Sequence, residues 1–301
     1  MRITNNILIT NMSNYIADNL SRMDLYQSQL ATGKKIRVPS DDPVVAARAL
    51  KLRTNVAEIT QYKKNLKDAQ SRLDITDTAL SDLGDIFQRI RELNVGSDGV
   101  ESPEDLNSTL QEVKQLKTQM IQLANSTYAG KYIFSGFQAD KKFMKDDGTF
   151  NIGVSNTEKI NFEIGIGDNI SVNVTGGDLF NEGVDAAAGG TGKFIKDFEA
   201  LETSLQTPDY DAIQATVNEF SKNLDTVLRV RADVGARTNR VELTINRMQN
   251  DETNFTKLMS ENENVDEADT IMNLKNEENV YQASLAGGAR IILPTLLDFL
   301  K

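Results

Sequence analysis

No cysteine, histidine or tryptophan occurs anywhere in the 301 residues. Without a thiol or an imidazole there is no disulfide framework, no thiol nucleophile, no imidazole general base and no ordinary zinc site. That removes most hydrolase chemistry. Carboxylate, lysine, serine or tyrosine chemistry survives the subtraction, but the sequence shows no compact constellation for it. We therefore expect no catalytic residue, no metal and no cofactor. The basic excess of a nucleic-acid binder is missing as well: the net charge is -11 and the pI is near 4.7, which argues against a phosphate-backbone partner. Long apolar runs are also absent. The most hydrophobic stretch, "ARIILPTLLDFL", is interrupted by Pro294 and Asp298, so no membrane partner is expected. The first twenty residues are broken by Asn and Thr and lack the continuous apolar core of a secretory signal. By these signals alone the protein would be cytosolic.

What is present is periodicity. With 39% hydrophobic and 26% charged residues the chain should fold, and its length suggests about two domains. From Leu52, apolar residues fall seven apart at Leu52, Ile59, Leu66, Leu73, Leu80 and Phe87, with a companion series at Tyr62, Ala69, Thr76, Leu83 and Ile90. Such a double seam marks a helix lying along another helix. From Pro43 to Leu93 it would measure on the order of 75 Å at about 1.5 Å per residue, which suits a rod. "NVGSDGVESPED" ends it with Gly96 and Gly99, and Ser102 before Pro103 and Glu104 reads as a fresh N-terminal cap. Leu106, Val113 and Met120, flanked by Leu110, Leu116 and Leu123, predict an antiparallel return helix. The heptad reappears at Phe220, Val227, Val234, Val241, Met248 and Phe255, a natural partner for the first series.

Between the helical halves the period changes to two. Ile160, Phe162, Ile164 and Ile166 alternate, then Ile170, Val172 and Val174 follow a Gly-Asp-Asn turn, predicting a β-hairpin. "EGVDAAAGGTG", residues 182–192, reads as a flexible return. "GIGDNI" lacks the third glycine and following helix of a dinucleotide loop, "KDDGTF" lacks the later ligands of a calcium loop, and both are better read as turns. The acidic run "ENENVDEAD", residues 261–269, reads as a solvated, flexible joint.

The two chain ends mirror each other. Met12, Ile16, Leu20, Met23 and Leu30 form one helical stripe; Ile271, Leu274, Tyr281, Leu285, Ile292, Leu296 and Phe299 form another. Residues 1–40 hold five basic and two acidic side chains, whereas residues 251–280 hold nine acidic and two basic. Matching stripes and opposite charge favour pairing, although each helix alone is marginal in water. These stripes are the candidate assembly interface, because a marginal apolar helix can defer its ordering until a neighbour packs on it. Pro294 would strain an isolated helix by about 3 kcal/mol, which favours that reading. In "LATGKKIRVPSDDPVVAARAL", residues 30–50, Gly33 and Pro39 end the first helix, and Asp41 or Asp42 caps a helix beginning at Pro43. The stretch is a joint, and Lys34, Lys35 and Arg37 are solvated or partner-facing charges.

That stretch resembles the joint of the bacterial flagellin family, with its Leu-x-[Ser/Thr]-Gly, basic-Ile and Asp-Asp-Pro elements. "VRADVGARTNRVELTINRMQN", residues 230–250, resembles the family's C-terminal signature, and the segment from Val265 onward its terminal helix. "GKYIFSGFQAD", residues 130–140, and the ending "ARIILPTLLDFL" are similar to the hook-associated branch of the family. The resemblance implies a mainly α fold with a small β-rich insert. Residues 1–41 and 266–301 would be paired terminal helices for assembly, 42–136 and 193–265 a long antiparallel coiled-coil-like helical rod, and 137–192 an outer β domain. It further implies a structural subunit of the flagellum, an adaptor between hook and filament. Its partners would be further copies of itself in a ring or helical layer, a neighbouring hook-associated protein, flagellin, and a cytosolic export chaperone at the C-terminal region. Export would proceed without a cleaved signal. A flagellin forming the filament itself is the nearest alternative; a coiled-coil scaffold outside flagella and an enzyme hidden in the insert are the others.

Overall fold

The computed structural model describes residues 5–96, 103–207 and 209–291. Along these residues run α1 (Asn5–Thr32), α2 (Pro43–Gly96), α3 (Pro103–Ala124), β1 (Thr127–Tyr128), β2 (Lys131–Tyr132), β3 (Asn161–Gly165), β4 (Asp168–Ser171), α4 (Gly176–Phe180), α5 (Lys193–Gln206), α6 (Tyr210–Glu263) and α7 (Glu267–Ile291). The fold is mainly helical, and the described strands make two antiparallel pairs, β1 with β2 and β3 with β4. The chain divides into two compact units. One comprises Met1–Glu58 and Asp251–Lys301; the other is Ile59–Asn250.

In the second unit the heptads become a core. Leu66, Leu73, Leu80 and Phe87 on α2 are fully buried, as are Ala69, Leu83 and Ile90 of the companion series and Val227, Val234 and Val241 on α6. Arg231 Nε lies 2.9 Å from Asp77, and the Phe220 ring is 6.1 Å from Phe87. Sequence position rises on one helix as it falls on the other, so the two are antiparallel. Val113 and Met120 bury the matching face of α3, and Arg89 Nε reaches Glu112 at 2.6 Å. Residues 97–102, which include Gly99 and the expected cap Ser102, lie outside the described residues.

Helix α5 carries a packing role that the periodic reading did not assign. It lies against α3, where Lys117 Nζ reaches Glu199 at 3.5 Å and Glu202 at 3.4 Å. Its Phe194 meets Phe87 edge-on with centroids 4.8 Å apart, and its Phe198 meets Phe220 at 5.4 Å. From Phe194 the contacts pass to Phe180 at 5.7 Å, then to Phe134 and Phe143, and on to Phe150. Edge-to-face pairs contribute about 0.5–1.5 kcal/mol each beyond their buried area. This aromatic chain makes helices and insert one core.

The insert departs from expectation in two places. β3 and β4 form the hairpin, with Phe162 opposite Ile170, but the register shifts between Glu163 and Gly165. The irregularity carries Ile166 out of the alternation and onto the turn, where it is 88% exposed. The return, residues 182–192, is tied to the rest of the insert: Ala186 exchanges both backbone hydrogen bonds with Val154 at 2.8 and 3.0 Å, and Phe150 N–H donates to Gly190 O at 2.8 Å. Backbone pairing and the burial of Ala186 hold a segment whose small, polar composition suggested freedom. "KDDGTF" is a turn, as expected: Gly148 N–H donates to Lys145 O at 3.0 Å, and Asp147 accepts the Thr149 N–H at 2.8 Å.

Candidate functional site

The site is built where the first unit brings α1 and α7 together. At the end of α1, Gly33 takes φ +66 and donates its N–H to Gln29 O at 2.8 Å. No atom lies near a would-be Cβ there, so glycine is needed for its left-handed backbone rather than its size. The chain then pairs with the segment after α6. Lys35 N–H donates to Glu263 O at 2.7 Å, and Val265 N–H to Gly33 O at 3.1 Å. The two joints, 230 residues apart, thus form a short antiparallel bridge around Lys34 and Asn264.

The paired aspartates divide their work. Asp42 Oδ1 accepts the N–H groups of Val44 at 2.9 Å and Val45 at 3.0 Å, which makes Asp42 the cap and Pro43 the first helical residue. Asp41 instead accepts the N–H groups of Arg37 at 2.9 Å and Val38 at 3.0 Å, and these donors hold its carboxyl below the usual range. Pro39 lines a cleft of about 160 Å³ with Ile36, Val38, Ala46 and Leu50.

Beneath the bridge sits a residue that the sequence placed in a solvated run. Glu263 is 2% exposed. Arg53 grips it with two bonds of 2.7 Å, and Lys34 Nζ adds a third contact at 3.0 Å. The Arg53 hydrogen bonds lead in holding its carboxyl below the ordinary value, against the opposing effect of burial. Lys35 Nζ donates to Glu261 O at 2.8 Å, and Arg37 lies 3.6 Å from Asp24. The basic residues of the joint are therefore occupied within the chain. No local pattern could have singled out Glu263, because Arg53 is 210 residues away.

Helices α1 and α7 pack together. Arg22 Nε pairs with Glu277 at 2.9 Å, and Asn19 Nδ2 donates to Ser284 Oγ at 3.4 Å. Gly288 is buried, and a Cβ there would lie 2.9 Å from Met12 Cε. The expected N-terminal stripe is half-buried at Met12, Ile16, Met23 and Leu30, while Leu20 is exposed. The C-terminal stripe divides between faces. Leu274 and Tyr281 are half-buried and in phase with Thr270, Glu277, Ser284 and Gly288, whereas Ile271 and Leu285 are exposed. Ile292, Leu296 and Phe299, together with Pro294, lie outside the described residues. Ile7, Tyr15, Leu25, Met272 and Val280 are exposed as well. The pair thus covers one face of each helix and leaves apolar residues exposed on the other.

Such an arrangement, in which a helix near the start of the chain packs on one near its end, defines the class: a helical subunit with paired terminal helices. The particular family follows from its sequence: the chain belongs to the bacterial flagellin family, which the matches to its two helical regions show. Residues 3–139 match the bacterial flagellin N-terminal helical region, and residues 215–300 the C-terminal helical region. Flagellar hook-associated protein 3 of Escherichia coli (strain K12) is 26% identical over 304 residues, covering 94% of this chain and 95% of that protein. Flagellin of Bacillus subtilis (strain 168) is 28% identical over 301 residues, covering 95% and 94%. Among solved structures, a putative flagellar hook-associated protein from Vibrio parahaemolyticus superposes with a TM-score of 0.66 at 19% identity, covering 74% of this chain and all (100%) of that one. Bacillus cereus FlgL gives 0.60 at 21% identity, covering 70% and 99%. These superpositions establish a shared fold.

Proposed function

We propose that the protein is a structural subunit of the bacterial flagellum, an adaptor at the junction of hook and filament without enzymatic activity. The observation that carries this reading is the pairing of α1 with α7, which leaves apolar side chains uncovered along both helices. End-to-end similarity to a hook-associated protein supports it. In this proposal residues 1–41 and 266–301 assemble the layer, 42–136 and 193–265 form its helical wall, and 137–192 faces solvent. Copies of the chain contact one another, a further hook-associated protein and flagellin. Delivery is through the flagellar export apparatus without a cleaved signal, assisted by a chaperone at the C-terminal region.

The comparable similarity to a flagellin favours one second reading, a subunit of the filament itself. Immunogold electron microscopy with antibody against residues 137–192 separates the two. Label in one band where hook meets filament supports the adaptor. Label along the filament makes the chain a flagellin, and absence of label from flagella refutes both. Deleting residues 285–301 should leave a soluble protein that no longer assembles; continued filament growth would remove the tail from the assembly role.

A further inference from the structure

The heptad series of α2 and α6 continue into the first unit at Leu52 and Phe255, yet neither residue is buried there. Together with Leu258, 49% exposed, they line an open groove of about 610 Å³. Arg48 and Lys51 also line it, and neither has an ion-pair partner among the described residues. The groove thus sets three apolar side chains beside these two cations; Asn55, Asn262 and Glu261 complete its lining, and Glu261 is already paired with Lys257 at 3.9 Å.

The complementary pattern lies on the outer face of α7. Ile271 and Met272 are 49% and 58% exposed. Glu267 stands one helical turn before Ile271, and Asp269 three residues before Met272, so each acid neighbours an apolar side chain on the helix surface. Neither carboxylate has an ion-pair partner among the described residues; the cap of α7 is Asp266, whose Oδ1 accepts the Ala268 N–H at 2.9 Å. The half of α7 that faces α1 is separate, carrying Thr270, Leu274 and Tyr281. Two unpaired acids beside two exposed apolar residues thus match two unpaired bases beside an apolar groove.

We propose that the start of α7 in one copy docks into the α2–α6 groove of the next copy. Ile271 and Met272 cover Leu52, Phe255 and Leu258, while Glu267 and Asp269 approach Arg48 and Lys51. The two surfaces differ, so the contact is head-to-tail and propagates around a ring or along a helix. Apolar burial supplies the affinity, and the charges set register and direction. The inference rests on the proposed assembly role and adds its contact surface.

The absence of native cysteine makes a direct test clean. Two differently tagged full-length chains, one carrying Leu258→Cys and the other Met272→Cys, are co-produced in a flagellated cell, and isolated flagella are oxidised. The expected result is a disulfide dimer bearing both tags. If both chains reach the flagella and no mixed dimer forms, or Leu258→Cys links only to another protein, the docking inference falls while the assembly role stands. If unsubstituted tagged chain does not reach flagella either, the assembly role falls and the inference with it. Charge reversal gives the second arm. Arg48→Glu with Lys51→Glu should lower incorporation by about tenfold, and adding Glu267→Lys and Asp269→Lys to the same chain should restore it. Failure of that restoration, with helix content unchanged, would also overturn the docking.

Discussion

Replacing Glu263 by Gln isolates the charge at the meeting of the two joints. Breaking a buried ion pair ordinarily costs about 3–5 kcal/mol, because the surviving charge is stranded. Here the survivors are not stranded: the side chains of Arg53 and Lys34 are 59% and 41% exposed and regain water. What is lost is the charge-assisted part of three contacts on a carboxylate only 2% exposed, and we expect about 1–2 kcal/mol. That corresponds to a factor of about 5–30 in local opening. The reporters are the amides of Lys35 and Val265, which donate to Glu263 O and Gly33 O across the bridge. Their hydrogen exchange should accelerate by that factor in Glu263→Gln, while amides in the middle of α2 stay unchanged. The pH dependence has a fixed sign. The folded carboxyl titrates below its ordinary 4.5, so its stabilisation is complete above the unfolded value and is lost as pH falls through the depressed folded one. Protection of Lys35 should therefore decline on acidification in the native chain and hold steady in Glu263→Gln. Equal protection in both proteins at neutral pH would refute the reasoning.

Glu219 is held near 2, first by its hydrogen bond to Lys193 and then by Lys222; its contribution is present above the ordinary 4.5 and lost as pH falls toward 2. A carboxyl-carbon NMR titration should show that midpoint, and Lys193→Met should move it upward; a native midpoint at 4.5 would refute the pairing. Gly235 lies within α6, and a Cβ there meets nothing within 4 Å, so Gly235→Ala should stabilise by about 0.5–1 kcal/mol, read as a higher thermal midpoint; a lowered midpoint would contradict the open space. Gly176 has no such room: a Cβ would stand 2.2 Å from Phe143 Cζ. Gly176→Ala should destabilise by about 1–3 kcal/mol, seen in urea unfolding and in changed Phe143 ring signals, and native stability would count against the packing.

The part of the fold legible in the sequence is the part set by one element's own pattern. Leu66, Leu73, Leu80 and Phe87 announce a buried face because a helix repeats its faces at a nearly fixed interval. The cap before Pro43 is legible to within one residue, Asp41 or Asp42, for the same reason: the groups that satisfy the backbone lie within a few residues. The β3–β4 hairpin is legible too, but its turn falls at Ile166–Gly167, since Asp168 and Asn169 of the expected Gly-Asp-Asn turn already pair in β4. Glu263 was illegible because its burial depends on Arg53, and nothing in "ENENVDEAD" distinguishes it from Glu267, which stays in water. Ile166 failed for a smaller cause, a register shift that alternation cannot foresee. Leu52 and Phe255 are the instructive case. They obey the heptad as strictly as Leu66 and Val241, yet remain half-exposed. A heptad states that a helix face requires cover; it does not state that the cover belongs to the same molecule. Where the second unit supplies α3, α5 and eight phenylalanines, the pattern closes into a core. At Leu52 and Phe255 it stays open, beside Arg48 and Lys51, which have no ion-pair partner among the described residues, and the same rule that predicts burial then predicts a second copy.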